Sequence, residues 1–498
     1  MSNPKTPLKI LTLGGPALRN EADLPSAVHE VYREWRAGNR VLAVASGLAG
    51  AADDLLKRAQ QLGLPPQRVA LASLLATGHK VAASLLALAL DRAGLTVNLF
   101  DPHEIGLVPD GDPLESEPAR VDLPRLNAAL ERGVVVVPAL PSLPSPPSAD
   151  RTARFLARAL KGSRGFPAEA PPAGEPLRVA LLGCGTVGGG VLARLLAQPG
   201  TYRVIGVAVR DLARVRTPAV PRRLLTQDPI SLVERDADVV VELLGGLEPA
   251  RGLIDRALQR GRHVVTANKA LLARDIDHFS RLADREGVTL RFSASVGGAL
   301  PALEAVRRAA ASGPVRAVSG VLNGTCNFVL DRCALGSSFE DAVSLAQAAG
   351  YAEADPTLDL DGSDAAQKLA LLAREAFGAD LPWATIDRRG ITATDGHAAA
   401  EAARRGRAVR LVASCERTSE GLRVKVQPLE LPPAHPFASA AGAGNILGIE
   451  MEDGNLINLA ARGAGRWPTA ESVLADLHDL AMEHAAALPV AEIEEGVA

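Results

Sequence analysis

The 498 residues exceed what one hydrophobic core normally organises, since single cores stop growing near ~250–300 residues, so more than one domain is expected. With 47% hydrophobic and 22% charged residues the composition is that of a soluble globular protein, and a net charge of −3 argues against a nucleic-acid or other polyanionic partner. No stretch reads as a membrane span, Met1–Ile10 lacks a signal-peptide core, and Cys184, Cys326, Cys333 and Cys415 show no metal-ligand spacing, so a reducing cytoplasm is the expected compartment.

Residues 8–160 read as an α/β unit. Leu8–Leu13 is a strand ending in Gly14-Gly15, Leu24–Arg36 has helical spacing, and Arg40–Ala45 is a second strand ending in Ser46-Gly47. Helical patterns follow at Ala51–Gln61 and, after Gly78, at Val81–Ala93, then strands at Thr96–Phe100 and Val134–Val137 and a closing helix at Arg151–Leu160. Such alternation predicts a mostly parallel sheet covered on both faces.

The pieces Ile-Leu-Thr-Leu-Gly-Gly-Pro-Ala at 10–17, Ala-Val-Ala-Ser-Gly at 43–47 and Ala-Asp-Asp-Leu-Leu at 52–56 resemble the start of an aspartokinase, an α/β amino-acid-kinase fold. The departures from that family bear on activity. Thr12 stands where the family has the lysine that stabilises the transferred phosphoryl group, His79 stands for its glutamate, and its phosphate loop is reduced to Ser148–Thr152. Phosphoryl transfer depends on positioned positive charge, so a kinase-derived domain without kinase activity is expected at 1–162. The Gly/Pro/Ala-rich stretch 163–176 is the expected linker.

Val179–Gly190 is a short apolar run that turns through Gly183, Gly185 and Gly188 and continues into the helical pattern Val191–Ala197. A strand, a glycine turn and a helix N-terminus form a cradle for a pyrophosphate: the first glycine makes the turn, the second admits phosphate, the third lets helix pack on strand. Thr186 and Val187 lie within that cradle. The second strand, Arg203–Val209, ends at Arg210 with Arg214 beyond it, where a guanidinium suits a 2′-phosphate; this favours NADP, with Asp211 leaving NAD open. Ala237–Leu243 is the next strand, followed by Gly245-Gly246, the helix Pro249–Arg260, the strand His263–Thr266 and the polar turn Ala267-Asn268-Lys269. That turn falls at the carboxyl edge of the sheet, where open α/β folds bind ligands. The carbonyls of Val296, Gly298 and Leu300, in a glycine-rich turn, are a faint cation signal.

The densest polar cluster is Glu353–Lys368, containing Glu353, Asp355, Asp359, Asp361, Asp364 and Lys368. With Ser363 as N-cap, Asp364 and Lys368 sit four apart on one helical face. So many carboxylates repel unless a cation shares their space, and a lysine held among them can donate a proton to an alkoxide formed by hydride addition.

Residues 177–485 resemble homoserine dehydrogenase in Gly183–Gly188, Val241–Gly246, Thr266–Lys269, Asn323–Thr325, Gly350–Pro356, Asp359–Asp364 with Lys368, and Gly463–Ala470. The resemblance implies reversible oxidation of L-homoserine to L-aspartate 4-semialdehyde by a nicotinamide cofactor. It implies Lys368 as proton donor, Asp364 positioning substrate, Glu353 receiving the substrate amino group, Asp359 in the same pocket, Lys269 as active-site lysine, and Gly350 and Gly465 against cofactor. It implies a Rossmann-type dinucleotide-binding domain at 177–310, an inserted α+β substrate and dimerisation domain at 311–462, a return to the first at 463–498, and a homodimer. The family's cation-binding glutamate is Ser293 in this chain, so weak or absent sodium dependence is expected. The sequence leaves no room after Met482 for the family's regulatory ACT domain, so threonine inhibition through one is not expected. Two rival readings stand beside this one: a phosphorylating semialdehyde dehydrogenase with Cys326 as thiolate nucleophile, and a dinucleotide sensor without chemistry.

Overall fold

The computed structural model describes residues 6–62, 67–115, 117–141, 148–165, 175–216, 219–463 and 465–487. Residues 166–174, most of the expected linker, lie outside them.

Short runs of Val, Leu and Ile build the three larger sheets among the described residues. The first contains β1 (Leu8–Leu13), β2 (Arg40–Ala45), β3 (Val97–Leu99), β4 (Val134–Pro138) and β5 (Ser163–Gly165), all parallel, in the order β3-β4-β2-β1-β5. Its core joins Ile10, Leu42, Val44, Val135 and Val137 to Leu126 and Leu156 of covering helices. β5 pairs with β1, so this sheet reaches past residue 162 into what the composition suggested was linker. The helical pattern expected to restart after Gly78 is one continuous helix, Arg68–Arg92. Gly78 sits inside it against Leu55 and Ala51 of the helix Ala51–Gln61, and a missing side chain there favours close helix approach over a break. By length and composition this helix would pass as a membrane span, contrary to the expectation that none would; its Leu71, Leu75, Ala82, Leu86 and Leu90 are buried against the domain.

The second sheet holds β6 (Leu177–Leu182), β7 (Tyr202–Ala208), β8 (Leu225–Thr226), β9 (Val239–Glu242), β10 (His263–Thr266) and β11 (Leu290–Arg291). All are parallel, in the order β8-β7-β6-β9-β10-β11. This is the doubly wound 3-2-1-4-5-6 order of a dinucleotide-binding domain, whose ligand crevice opens where the strand order reverses, at the carboxyl ends of the first and fourth strands, β6 and β9. Val179, Leu181, Val191, Leu192, Val239 and Val241 share a core with Val473, Leu474 and Leu477 of the helix Arg466–Ala487. A buried ion pair, Arg194 to Glu471 at 3.0 Å, fixes that helix against Thr186–Ala197.

The third sheet comprises β12 (Val315–Val321), β13 (Asp387–Arg388), β14 (Ala408–Thr418), β15 (Gly421–Leu431), β16 (Gly444–Met451) and β17 (Leu456–Arg462). Its order is β13-β15-β14-β12-β16-β17, antiparallel except at the β13–β15 edge. The chain divides into two compact units: Met1–Ala168 with Val296–Pro468, and Glu169–Ser295 with Thr469–Ala498. The first and third sheets thus share one unit and the dinucleotide-binding sheet forms the other.

Candidate active site

In the second unit, Gly183 adopts φ +99°, and a Cβ there would stand 2.6 Å from the Leu243 carbonyl oxygen. A Cβ on Gly188 would stand 2.2 Å from the Gly183 carbonyl oxygen, so strand, turn and helix approach as only glycines permit. A Cβ on Gly185 would meet nothing within 4 Å, and this residue is the N-cap of Thr186–Ala197 without a side-chain cap. The space beside Gly185 and the first-turn amides of Thr186, Val187 and Gly188 therefore fit a pyrophosphate.

The adjoining strand ends are tied together by Glu242, which is fully buried at the end of β9. Its Oε1 accepts from the N–H groups of Leu244 (2.8 Å) and Gly245 (3.2 Å), and its Oε2 accepts from Thr266 Oγ1 (2.6 Å). Thr266 Oγ1 in turn accepts from Asn268 N–H at 3.0 Å, and Asn268 Nδ2 donates to the Gly246 carbonyl at 2.7 Å. Asn268 also N-caps the helix Lys269–Glu286, which leaves Lys269 half-buried on its first turn. Arg210 is exposed just beyond β7, its carbonyl fixed by Gln227 Nε2 at 2.8 Å, while Asp211 turns its carboxylate onto Ala213 N–H at 2.8 Å.

In the first unit, the helix Ser363–Phe377 buries its first turns entirely, including Asp364 and Lys368. Lys368 Nζ lies 2.7 Å from Asp364 Oδ2 and donates to the Leu322 carbonyl at 2.7 Å, so this ion pair is not a solvated one. Asn323 follows β12 and N-caps the helix Gly324–Ala334 by accepting from Cys326 N–H at 2.7 Å. Its Nδ2 donates to Asp359 at 2.7 Å and to Asp364 at 2.8 Å. One amide thereby holds the two carboxylates that would otherwise repel each other. Asn323 was visible in the sequence only as part of a motif; its cap signal, an asparagine directly after a strand, pointed to the helix and not to the carboxylates.

The remaining acids divide differently from the expected single cluster. Asp361 accepts from the N–H and Oγ of Ser363, and Asp355 accepts from Thr357, so each is satisfied within its own turn. Ser363 is consequently not the N-cap: Gly362 is, at φ +84°. Glu353 is exposed, and its carbonyl accepts from Gln347 Nε2 at 3.1 Å. Gly350 (φ +75°) and Gly465 (φ +122°) both take the left-handed backbone that favours glycine. Lys368, Asp364, Asp359, Glu353, Gly350 and Gly465 belong to the first unit, and Lys269, Arg210 and the glycine turn to the second.

Val296 and Leu300 are buried, but the Leu300 carbonyl already accepts from Ala302 N–H at 2.7 Å. Ser293 donates its N–H (3.0 Å) and its hydroxyl (2.7 Å) to Asp476. These groups fit a cation poorly. Cys326 is fully buried and donates to the Asp359 carbonyl at 3.1 Å. Burial first, and then Asp359 and Asp364, push its thiol well above the ordinary cysteine value, the opposite of what a thiolate nucleophile needs.

A family model described as homoserine dehydrogenase matches residues 301–478, one described as homoserine dehydrogenase, NAD binding domain, matches 183–292, and one described as amino acid kinase family matches 7–164. The chain is 39% identical over 323 residues to homoserine dehydrogenase of Corynebacterium glutamicum, spanning 61% of this chain and 72% of that protein. It is 35% identical over 316 residues to that of Neisseria gonorrhoeae, spanning 62% and 73%. The crystal structure of a homoserine dehydrogenase from Thiobacillus denitrificans aligns with a TM-score of 0.59 at 35% identity, over 63% of this chain and 75% of that one. A putative homoserine dehydrogenase from Archaeoglobus fulgidus aligns with a TM-score of 0.54 at 32% identity, over 61% and 99%. Glycine turn, buried Asp364–Lys368 pair and matched length agree, and the chain belongs to the homoserine dehydrogenase family.

Proposed function

We propose that this protein oxidises L-homoserine reversibly to L-aspartate 4-semialdehyde with NADP, and that its amino-acid-kinase domain transfers no phosphate. The observation that carries the first part is the Lys368 ammonium. It has three donors, of which one meets Asp364 and one the Leu322 carbonyl, leaving the third for a substrate oxygen. When bound, the nicotinamide ring supplies the hydride acceptor in oxidation and the hydride donor in reduction. In the reducing direction Lys368 gives a proton to the oxygen of the former aldehyde, and in oxidation it takes that proton back. Asp364 keeps the ammonium in place and Asn323 keeps Asp364 in place, so the proton is held at a defined point. Asp359, held by the same amide, and Glu353 offer carboxylates to the substrate ammonium.

The NADP preference rests on Arg210 and Arg214, both exposed after β7, and on Asp211 being occupied within its own loop. Arg210→Ala is expected to raise KM for NADP about tenfold, as loss of a charged hydrogen bond would, while KM for NAD stays within about twofold. Steady-state rates with each cofactor decide it, and equal shifts for both would remove the 2′-phosphate role.

The kinase reading rests on Thr12 of β1, a neutral hydroxyl where the related kinases carry the lysine that stabilises the transferred phosphoryl group, and on His79. The His79 Nδ1 accepts from Gly47 N–H at 2.7 Å, and burial lowers its pKa to about 4, so this imidazole supplies no positive charge in that lysine's place. The deciding experiment runs the purified full-length chain in two assays, homoserine with NAD or NADP, and aspartate with ATP. Homoserine-dependent NADPH formation without aspartate-dependent ADP is expected. ADP release would overturn the second part, and no reduced cofactor would overturn the first.

A further inference from the structure

The amino-acid-kinase domain is docked on the substrate-binding part of the same unit through two joints. At the end of the helix Leu24–Arg36, Arg36 forms an ion pair with Glu304 of the helix Ala302–Ser312 at 2.9 Å, with side chains only 9% and 14% exposed. Arg308 of that helix donates to the Arg36 carbonyl at 2.7 Å, passing over Gly38, where a Cβ would stand 2.8 Å from the guanidinium. A tethered module that merely touched its neighbour would leave these charges in water; burying them is costly unless the partners are fixed.

The second joint lies just past the helix Arg68–Arg92. Arg92 stacks over the Trp467 ring at 4.4 Å, and Gly94 accepts from Arg462 N–H at 2.9 Å. Leu95 bridges to Ala461 of β17 in antiparallel fashion. Gly94 has φ +96°, and a Cβ on it would stand 2.9 Å from Ala299 and 3.0 Å from Pro468. Ala299 and Pro468 flank the two points where the chain passes to the dinucleotide-binding unit, between Ser295 and Val296 and between Pro468 and Thr469. This joint therefore reaches one passage at Pro468 and comes within three residues of Val296, the start of the other, at Ala299; Gly465 lies in the same segment as Pro468.

We propose that the kinase-like domain is a docked brace of the dehydrogenase: through Arg36 and through Arg92–Leu95 it fixes both chain passages and the Gly465 segment, and efficient turnover requires it to stay docked. The inference rests on the dehydrogenase reading. It assigns a role to a domain expected to have lost its chemistry.

The test uses the full-length protein with Arg36→Glu, the reversed pair Arg36→Glu with Glu304→Arg, and Gly94→Val. Hydrogen–deuterium exchange of residues 302–312 and 456–468 reports docking, and kcat and KM for NADP and homoserine report function. Arg36→Glu and Gly94→Val are expected to raise exchange in those segments and lower kcat/KM at least about tenfold, within the ~hundredfold that a ~1 Å displacement of a distant positioning element costs. The reversed pair is expected to recover both readouts, and does so even if the single variant fails to fold. Raised exchange with kcat/KM within about twofold of the parent would overturn the brace. Unchanged exchange in both single variants, or no recovery in the reversed pair, would overturn the docking itself. An inactive parent protein would instead indict the dehydrogenase reading.

Discussion

Lys368→Ala is expected to lower reduction of L-aspartate 4-semialdehyde by about 10³-fold, in the middle of the ~10²–10⁴ range that a positioned proton donor contributes, while NADPH binding persists. The geometry supports a loss in kcat more than in KM. Lys368 Nζ is held by Asp364 and by the Leu322 carbonyl, both at 2.7 Å, and neither partner can replace its proton-transfer role. The carbonyl has no proton to give, and the carboxylate is acceptor-only when ionised. A stability change accompanies the substitution, because Asp364 keeps its bond from Asn323 Nδ2 but loses its ammonium partner while still buried. Removing one partner of a buried ion pair costs ~3–5 kcal/mol. The companion variant Asp364→Asn separates the two effects: it keeps the ammonium, loses its anchor, and is expected to fall less in kcat than Lys368→Ala. Thermal unfolding and NADPH fluorescence titration on both proteins establish that they are folded and bind cofactor. Turnover of a folded Lys368→Ala protein within about tenfold of the parent would remove Lys368 from the chemistry.

What could be read from the sequence follows from how local each feature is. The glycine turn is a contiguous strand, turn and helix, and the parallel order around β6 follows from alternating elements. Asp364 and Lys368 are four residues apart, so helical periodicity alone put them on one face. Burial is what separates them from a solvated surface pair, and no spacing encodes burial. Asn323 stood in a recognised motif, but its role escaped notice because its two carboxylate partners lie 36 and 41 residues further along the chain. Glu242 escaped for the same reason, since its Thr266 partner is on the neighbouring strand. Crowded acids looked like one electrostatic cluster, whereas Asp355 and Asp361 are each hydrogen-bonded within their own turn by threonine and serine donors. Gly78 looked like a helix breaker because propensity is a weak prior that packing overrides; close approach to Leu55 is what the missing side chain serves.

Gly188→Ala is the substitution expected to damage cofactor binding most per atom added. The helix Thr186–Ala197 presents its N-terminal amides to the pyrophosphate only if it packs directly on the end of β6, and the contact there is between Gly188 and the Gly183 carbonyl. A methyl group at 2.2 Å from that oxygen cannot be accommodated by a side-chain rotation, because the obstacle is backbone. Either the helix moves away or the turn unwinds, and both withdraw the amides of Thr186, Val187 and Gly188 from their target. Overpacking of this kind costs ~1–3 kcal/mol of stability, and displaced amides are expected to raise the dissociation constant for NADPH by about 30-fold, equivalent to ~2 kcal/mol. The residues proposed to bind homoserine lie in the other unit, so kcat at saturating cofactor is expected to fall less than cofactor affinity. Gly200→Ala serves as the control, since a Cβ on Gly200 meets nothing within 4 Å. NADPH titration of the two variants checks the expectation, and equal affinities would show that the close approach of Gly188 to Gly183 does not set the cradle.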